Sequence, residues 1–314
     1  MTNKAKSIIL DKFNITESDF LGSGMEAEVY IYDDDKVLKL YNAMSDADKQ
    51  QNLKAFYSAV QSNPLNYELP YIYDAFEESG MLVTIEKRIN GRNLQCMFSE
   101  INDQQQNKMM ETYLYAAIEL KSVEVTSALE GFTLFNDNQI YLPKLNNWYD
   151  LLKEIIFKKQ NELESYFKND VVHYDAKVNQ LIEILSMGYE GEYSLIHGDF
   201  FPGNVMVNDS GKITGLIDFG LMTMYGDNLF DIAIGWVCFD MYNELNANIK
   251  ERYLNIIIST LGESVRKKLY FYVLIYSFIS ANFYSPNCED GHYQWCVDNL
   301  NNTFYWKGIK EILV

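Results

Sequence analysis

The sequence predicts an α+β fold with two lobes, a small β-rich lobe over residues 1–90 and a large helical lobe over residues 91–314. Two observations indicate this division. β-Favouring residues alternate through residues 20–41, 71–78 and 81–89, whereas helical spacing dominates after Gly91. The length of 314 residues, 48% of them hydrophobic, is sufficient for about two domains with a substantial core.

The small lobe begins, after a helix candidate, with FLGSGMEAEVYIYDDDKVLKLY, which predicts a strand, a glycine turn and two further strands. Ser45 is a candidate N-cap for a helix whose apolar residues recur at helical spacing. Two strands follow, and the segment EKRINGRNL around Gly91 is the predicted crossing between the lobes. The apolar residues of the predicted helix are Leu53, Phe56, Tyr57 and Val60.

The large lobe is predicted to be helical from Gln95 to His173, with one strand-like interruption at residues 139–142. YSLIHGD is an apolar run that enters a loop, and VMVNDSGKITGLIDFG is a predicted β-hairpin with Ser210 and Gly211 at its turn. Beyond Asp227 the pattern is helical to the end. The predicted fold therefore places one short hairpin within the helical lobe.

The bulk composition excludes several classes of function. A formal net charge of −18 disfavours nucleic acid and anionic membranes as partners. The same charge suits a cationic ligand, although acidic surfaces often serve solubility alone. The four cysteines form no CxxC pair, and no uncharged segment reaches the roughly 20 residues of a membrane span. We expect a cytoplasmic protein, a monomer or weak dimer, without a structural zinc site.

The stretch LIHGDFFPGNVMVNDSGKITGLIDFG has residue types and spacing suited to phosphoryl transfer. Asp199 could orient a hydroxyl nucleophile or accept its proton. Asn204 and Asp218 offer the oxygen ligands that magnesium prefers, and Lys39 could contact nucleotide phosphates. A lone His-Gly-Asp would be weak evidence, because Gly-Asp is common in turns, but the Asn and the second Asp at hairpin distance strengthen it.

HGDFFPGN, LIDFG and YGDNLFDIA resemble the aminoglycoside phosphotransferase and choline kinase superfamily, which shares the protein-kinase-like fold. The resemblance runs from Gly22 to at least Ala233. It implies ATP, or in some members GTP, with Mg²⁺ in a cleft between the lobes, and γ-phosphate transfer to a hydroxyl of a small molecule. On this basis Asp199 matches the catalytic base, Asn204 and Asp218 the metal ligands, and Lys39 the phosphate-binding lysine.

The resemblance also extends to residues whose roles have simpler alternatives. The backbone of Gly22, Ser23 and Gly24 could approach phosphates or form a plain hairpin turn, since a third glycine is missing. Glu86 and Arg88 lie in the stretch whose backbone pairs with adenine in relatives, or simply end a strand. The usual glutamate partner of the lysine is missing from the following helix, where Asp48, Gln50 and Gln51 are the nearest candidates.

Three further polar residues are expected to support the site rather than react. His197 is expected to lock the catalytic loop through hydrogen bonds, and Asp231 to anchor that loop by accepting backbone hydrogen bonds. Asp231 contacting substrate is the alternative. Asp227 lies at a predicted helix start, where capping alone would explain it.

The acceptor is the least determined part of the prediction. Several carboxylates would suit a polycationic aminoglycoside, although they could equally be solvated surface. These residues are Asp240, Glu244, Glu289 and Asp290. A metabolite kinase for choline, ethanolamine, homoserine or a sugar is the alternative, and the aromatic segment GHYQWCVDNLNNTFYW could stack on a sugar or belong to the core.

Two other classes of protein remain as alternatives. A protein kinase would carry His-Arg-Asp and an activation segment ending in Ala-Pro-Glu, and this chain has neither. A nucleotide-binding regulator without catalysis is supported only by the missing glutamate and glycine. The retention of Asp199, Asn204 and Asp218 argues against it.

Overall fold

The structure is a computed structural model, which describes residues 3–24, 26–42, 47–61, 65–124, 147–219, 222–240 and 248–312. The proposed cap Ser45, the strand-like residues 139–142 and Glu244 lie outside these residues, as does the side chain of Asp240.

The small lobe is built on a five-stranded antiparallel sheet in the order β1-β2-β3-β5-β4. Side chains alternate between its two faces, as in any pleated strand. One face points outward and the other points toward the large lobe. The strands are β1 (Phe20–Ser23), β2 (Ala27–Ile31), β3 (Lys36–Tyr41), β4 (Ile72–Glu78) and β5 (Met81–Lys87).

Two helices cover the sheet. Helix α1 (Asn3–Lys12) packs on the outer face, where a small apolar cluster joins it to the strands. Helix α2 (Ala47–Val60) buries its predicted apolar stripe at i, i+3, i+4 and i+7 spacing. The outer cluster consists of Ile9, Leu10, Ile15, Tyr30, Leu38, Leu40, Met81 and Val83.

The large lobe is mainly helical and contains two small sheets. In one, β6 (Arg92–Asn93) pairs with β8 (Val205–Val207), which pairs with β9 (Ile213–Leu216). In the other, β7 (Ser194–Ile196) pairs with β10 (Met224–Gly226). The β8–β9 pair confirms the predicted hairpin, and Gly211 at its turn has φ +78°, a value that favours glycine.

Nine helices surround these strands within the described part of the large lobe. They are α3 (Leu94–Phe98), α4 (Asp103–Glu119), α5 (Trp148–Asp170), α6 (Tyr174–Leu185), α7 (Leu229–Val237), α8 (Asn248–Leu261), α9 (Arg266–Ser280), α10 (Gly291–Asn301) and α11 (Thr303–Ile309). Across the described residues, no helix combines the length and the apolar character that crossing a membrane requires. None of the four cysteines, all of which lie in the described residues, forms a disulfide bond. This architecture confirms the predicted two-lobed α+β fold.

The main hydrophobic core crosses from one lobe to the other. The buried face of α2 belongs to the same apolar cluster as the helices of the large lobe, and so do Tyr67, Leu69 and Ile72. The chain before β4 also bonds to the large lobe, because the N–H of Glu68 donates to the Thr214 carbonyl at 2.8 Å and Leu216 N–H donates to the Glu68 carbonyl at 3.1 Å. These two hydrogen bonds attach the segment that leads into β4 to strand β9 of the large lobe.

Candidate active site

The loop after β7 forms the floor of the cleft, and the buried carboxylate of Asp231 holds its backbone. The N–H groups of His197 and Gly198 donate to the two oxygens of Asp231 at 2.6 and 3.0 Å. The Thr223 hydroxyl donates to the His197 carbonyl at 2.6 Å. Gly198 has φ +78°, and a Cβ there would lie 2.2 Å from the Met222 carbonyl carbon, so the loop requires glycine. Asp231 therefore makes the backbone contacts expected of a loop anchor.

Asp199 follows directly and is paired with Asn204. The Asn204 amide donates to the Asp199 backbone carbonyl and to its carboxylate Oδ2, each at 3.0 Å. Burial raises the pKa of the Asp199 carboxyl to about 7, with the Asn204 hydrogen bond lowering it and the negative charge of Asp218 raising it further. A carboxylate with a pKa near neutrality is suited to accept a proton from a hydroxyl.

His197 is held as a neutral ring beneath the loop. Its Nε2 lies 2.9 Å from the Ile217 carbonyl, and its Nδ1 accepts from the Asp199 N–H at 3.3 Å. Burial lowers the pKa of this histidine to about 4, so the ring donates through Nε2 at neutral pH. Both ring nitrogens thus have partners in the backbone, one in Ile217 and one in Asp199.

Asp218 follows β9 and faces the floor from the other side. Its φ of +53° is unusual for a residue with a side chain. The next residue, Phe219, packs against Phe56 and Tyr57 of α2 with ring centroids 5.6 and 5.8 Å apart, and against His197 at 4.2 Å. This packing stabilises the unusual backbone and leaves the Asp218 carboxylate 59% exposed toward the cleft.

Lys39 forms the roof of the site. Its Nζ lies 3.1 Å from Oε2 of Glu86 and 3.3 Å from Oδ1 of Asp218, so it joins the sheet to the floor. Burial alone would lower the pKa of this ammonium, but the charges of Glu86 and then Asp218 outweigh it and raise the pKa well above its ordinary value. Lys39 is therefore a permanent cation in the cleft.

The glycine-containing segment forms a hairpin. Gly22 pairs with Val29 and Ser23 with Glu28, while the Gly24 N–H donates to the Ala27 carbonyl at 2.9 Å. A Cβ at Gly22 or Gly24 would meet no atom within 4 Å. The turn is thus open above, and the Gly24 N–H already has a partner within the hairpin.

A cavity of about 310 Å³ lies between the lobes next to Lys39. Its walls are largely apolar, with Leu21, Val29 and Val37 above and Met206 and Ile217 below. The strand-to-helix crossing closes one side through residues 86–91. This shape suits a flat nucleobase between apolar surfaces.

Within the crossing between the lobes, Glu86 and Arg88 have different hydrogen-bond and ion-pair partners. The Arg88 N–H donates to the Asp35 carbonyl at 2.8 Å, and Glu86 lies within the sheet opposite both Val37 and Ile72. The side chain of Glu86 is occupied by Lys39. The predicted contact of this stretch with adenine stays a prediction, and the structure adds a side-chain role for Glu86.

The residues present fit a magnesium ion held jointly with a nucleotide. Among the described residues there is no group of three or more His, Cys, Asp or Glu side chains that could hold a metal alone. Asn204 and Asp218 instead provide an amide and a carboxylate at one side of the cleft. Magnesium is commonly held by one or two protein oxygens together with phosphates and water, which matches this donor set.

The structure has two lobes, with Lys39 and Asp218 beside the cavity between them and Asp199 paired with Asn204. A sequence profile described as the phosphotransferase enzyme family matches residues 19–264. The chain belongs to that family.

Solved structures show the same fold at low sequence identity. APH(2'')-IIa in its streptomycin and ATP ternary complex is 16% identical with a TM-score of 0.61, over 96% of each chain. The ADP-bound aminoglycoside phosphotransferase APH(2'')-Ib is 17% identical with a TM-score of 0.60, over 100% of this chain and 97% of that one. The GDP complex of aminoglycoside 2'-phosphotransferase-IIIa is 15% identical with a TM-score of 0.59, over 95% of this chain and 98% of that one.

The structure brings together every predicted residue of the floor, and it adds residues that the sequence did not single out. Thr84 and Tyr41 lie beside Glu86, with Thr84 Oγ1 donating to Oε1 of Glu86 at 2.6 Å. Tyr113 holds the catalytic loop from α4, because its hydroxyl donates to the Phe200 carbonyl at 2.9 Å. The signal for Thr84 and Glu86 was the two-residue alternation of β5, which places both side chains on one face.

Proposed function

We propose that this protein transfers the γ-phosphate of ATP or GTP, with Mg²⁺, to a hydroxyl of a small cationic acceptor, in the first instance an aminoglycoside. The observation that carries the proposal is the convergence of Lys39, Asp199, Asn204 and Asp218 on one cleft. Each performs a separate task of phosphoryl transfer, and family membership supplies the reaction class.

The chemistry follows from the position of each group. Asp199, with a pKa of about 7, orients the acceptor hydroxyl and takes its proton as the bond to phosphorus forms. The Lys39 ammonium contacts the α- and β-phosphates, opposite the carboxylate of Asp218. Bound Mg²⁺, held by Asn204 and Asp218, would neutralise charge on the phosphate oxygens.

Charge supports a polycationic acceptor. The formal net charge of −18 attracts cations, and several carboxylates can pair with several ammonium groups. Of the acidic residues considered, Glu289 is exposed, whereas Asp290 caps α10 by accepting from the Tyr293 N–H at 2.8 Å. Relatives of the same fold are described in complexes with streptomycin and gentamicin, which supports an aminoglycoside as the first candidate.

An aromatic cluster at the corner of α9 and α10 favours a second candidate, an amino alcohol with a quaternary ammonium group. His292 lies 4.8 Å from Tyr284 and 5.7 Å from Trp295 between ring centroids, and Tyr276 lies 6.3 Å from Trp295. Tyr276 is buried, whereas Tyr284 is 46% exposed at the edge of the cluster. Aromatic faces attract such cations.

The test is consumption of MgATP and MgGTP with a panel of aminoglycosides, macrolides, choline, ethanolamine, homoserine and sugars. We expect turnover with one cationic acceptor, and about 10²–10⁴-fold slower turnover in Asp199→Ala, because a general base contributes that much. Asp209→Ala, which removes an exposed aspartate of the β8–β9 turn, is the matched control and should leave the rate unchanged. Equal turnover in Asp199→Ala and the wild type would contradict the assignment.

A further inference from the structure

We infer that Glu86, a residue of strand β5, is the positioning residue for Lys39, so that the phosphate-binding lysine is oriented from within the sheet and not from helix α2. The pairing of the two side chains is inferred from their geometry alone. The effect of this pairing on binding of nucleotide phosphates depends on the function proposed above.

The two oxygens of the Glu86 carboxylate have different partners. Oε2 lies 3.1 Å from Nζ of Lys39. Oε1 accepts from the Thr84 hydroxyl at 2.6 Å and from the Tyr41 hydroxyl at 3.2 Å. Two neutral donors therefore hold one oxygen in place while the other faces the ammonium, which is the arrangement expected of an orienting group.

Strand register brings these residues together. Lys39 lies opposite Thr84 and Val37 lies opposite Glu86, so Lys39 and Glu86 are diagonal neighbours on the inner face of the β3–β5 pair. The Glu86 side chain is only 7% exposed. A buried carboxylate at a diagonal position next to a lysine has little freedom to take another partner.

Helix α2 contacts the cluster around Glu86 through the side-chain amide of Gln50. Gln50 is buried, and its Oε1 accepts from the Tyr41 hydroxyl at 3.2 Å, so it contacts the cluster through tyrosine. Asp48, the acidic residue of this helix, is exposed. The helix thus supports Tyr41, while the small-lobe carboxylate that pairs with Lys39 comes from the strand.

Within the small lobe, this arrangement ties the lysine to the sheet and not to α2, while Asp218 remains its partner across the cleft. Because β3 and β5 are hydrogen-bonded neighbours, Lys39 and Glu86 move together whatever the position of α2. A helix-borne partner would instead couple the lysine to the helix. We therefore expect substitutions at Gln50 to affect the site much less than substitutions at Glu86.

The test compares four variants by two measurements. Glu86→Gln keeps an oxygen for Thr84 and Tyr41 but removes the charge, and Glu86→Asp keeps the charge but withdraws it by one methylene. Gln50→Leu tests the helix. Glu28→Gln is the matched control, since Glu28 lies in the same sheet, pairs with Lys6 at 3.0 Å and accepts from Tyr30 at 2.6 Å, but on the outer face.

The first measurement is the rate at which a small acylating reagent modifies Lys39 at neutral pH, read by peptide mass spectrometry. An ammonium held by Glu86 at 3.1 Å on the inner face of the sheet is less accessible to the reagent than one released from that contact, with Asp218 present in every variant. We expect faster acylation of Lys39 in both Glu86 variants and an unchanged rate in Gln50→Leu and Glu28→Gln. The second measurement is KM and kcat for MgATP with whichever acceptor is turned over.

We expect Glu86→Gln to raise KM for MgATP and to lower kcat/KM by about 10²-fold, since misplacement of a catalytic group by about 1 Å has that effect. Gln50→Leu should change kcat/KM less than Glu86→Gln does. Unchanged acylation of Lys39 in the two Glu86 variants would overturn the inference, and so would a larger change in Gln50→Leu. If the wild type turns over no acceptor, the proposed function fails while the acylation rates still decide the pairing.

Discussion

Two clusters of the same composition occupy the two faces of the small lobe's sheet. On the inner face, Lys39 lies 3.1 Å from Glu86, which accepts from Tyr41 at 3.2 Å. On the outer face, Lys6 lies 3.0 Å from Glu28, which accepts from Tyr30 at 2.6 Å. Both clusters join a lysine, a glutamate and a tyrosine.

The clusters differ in the burial of the glutamate and in the group that lies opposite the lysine. The Glu86 side chain is 7% exposed and that of Glu28 is 23% exposed, while both lysines are 20% exposed. Lys6 belongs to α1 and joins that helix to the sheet, whereas Lys39 faces Asp218 across the cleft. The chemistry of such a cluster therefore does not by itself define its role. The strand face on which it lies does.

The largest expected effect comes from replacing Lys39 or Lys6 by methionine in two separate variants. Lys39→Met should lower kcat/KM by about 10²–10³-fold, because it removes a positioned charge from the cleft. Lys6→Met should leave turnover unchanged and lower the free energy of unfolding by at most about 1 kcal/mol, as for other partly exposed ion pairs. Steady-state kinetics and urea unfolding of both variants measure the contrast. Comparable kinetic losses in the two variants would remove the distinction between the faces.

A third buried carboxylate, Asp231, shows what happens when backbone N–H groups and not a lysine are the partners. Burial raises the pKa of Asp231 to about 7, with the hydrogen bonds from His197 and Gly198 lowering it. In the unfolded chain it would be about 4. The folded state therefore holds the proton more tightly, and the stability that Asp231 contributes is present at low pH and is lost as pH rises toward and through about 7.

We expect the wild type to lose about 2–3 kcal/mol more stability than Asp231→Asn between pH 5 and pH 8, since one pKa unit corresponds to about 1.4 kcal/mol. Urea unfolding of both proteins at the two pH values checks this. Asp199, whose pKa is also raised, is present in both proteins, and its negative charge contributes to the raised pKa of Asp231. Parallel changes in stability would show that Asp231 does not titrate in this range.

The smallest effect is expected from removing the two tyrosine hydroxyls. Tyr41→Phe removes a donor from the buried Gln50 Oε1 and one of the two hydroxyl donors of Glu86 Oε1, and should cost about 1–3 kcal/mol of stability. Tyr30→Phe affects the less buried Glu28 and should cost about 1 kcal/mol or less. Urea midpoints measure both, and KM for MgATP should rise in Tyr41→Phe alone. A larger loss in Tyr30→Phe would contradict the ranking.

The floor of the site could be predicted from the sequence because its geometry is local. Asp199, Asn204 and Asp218 lie within 20 residues, and the hairpin that joins them is encoded by a glycine turn between alternating strands. The anchoring of the loop by Asp231 followed from a short downstream motif. Spacing along the chain was sufficient in each case.

The roof could not be predicted to the same degree because it depends on register between distant strands. Lys39 and Glu86 meet only because β3 and β5 pair with Lys39 opposite Thr84, and no local pattern determines that alignment. Local sequence points to the backbone of Glu86, whereas the role of its side chain depends on the fold. Asp48, Gln50 and Gln51, the candidate partners that the sequence offers, belong to α2, but the ion pair of Lys39 is made by a residue of β5.

The core that runs from α2 into the large lobe has a consequence for cooperativity. Phe56 and Tyr57 contact Phe219 directly beside the catalytic loop, and they share one apolar cluster with the helices below. Separating the lobes would expose that surface to water on both sides. The two lobes are distinct in architecture, yet thermodynamically they form one folding unit, and the integrity of the catalytic floor depends on a helix that belongs by sequence to the roof.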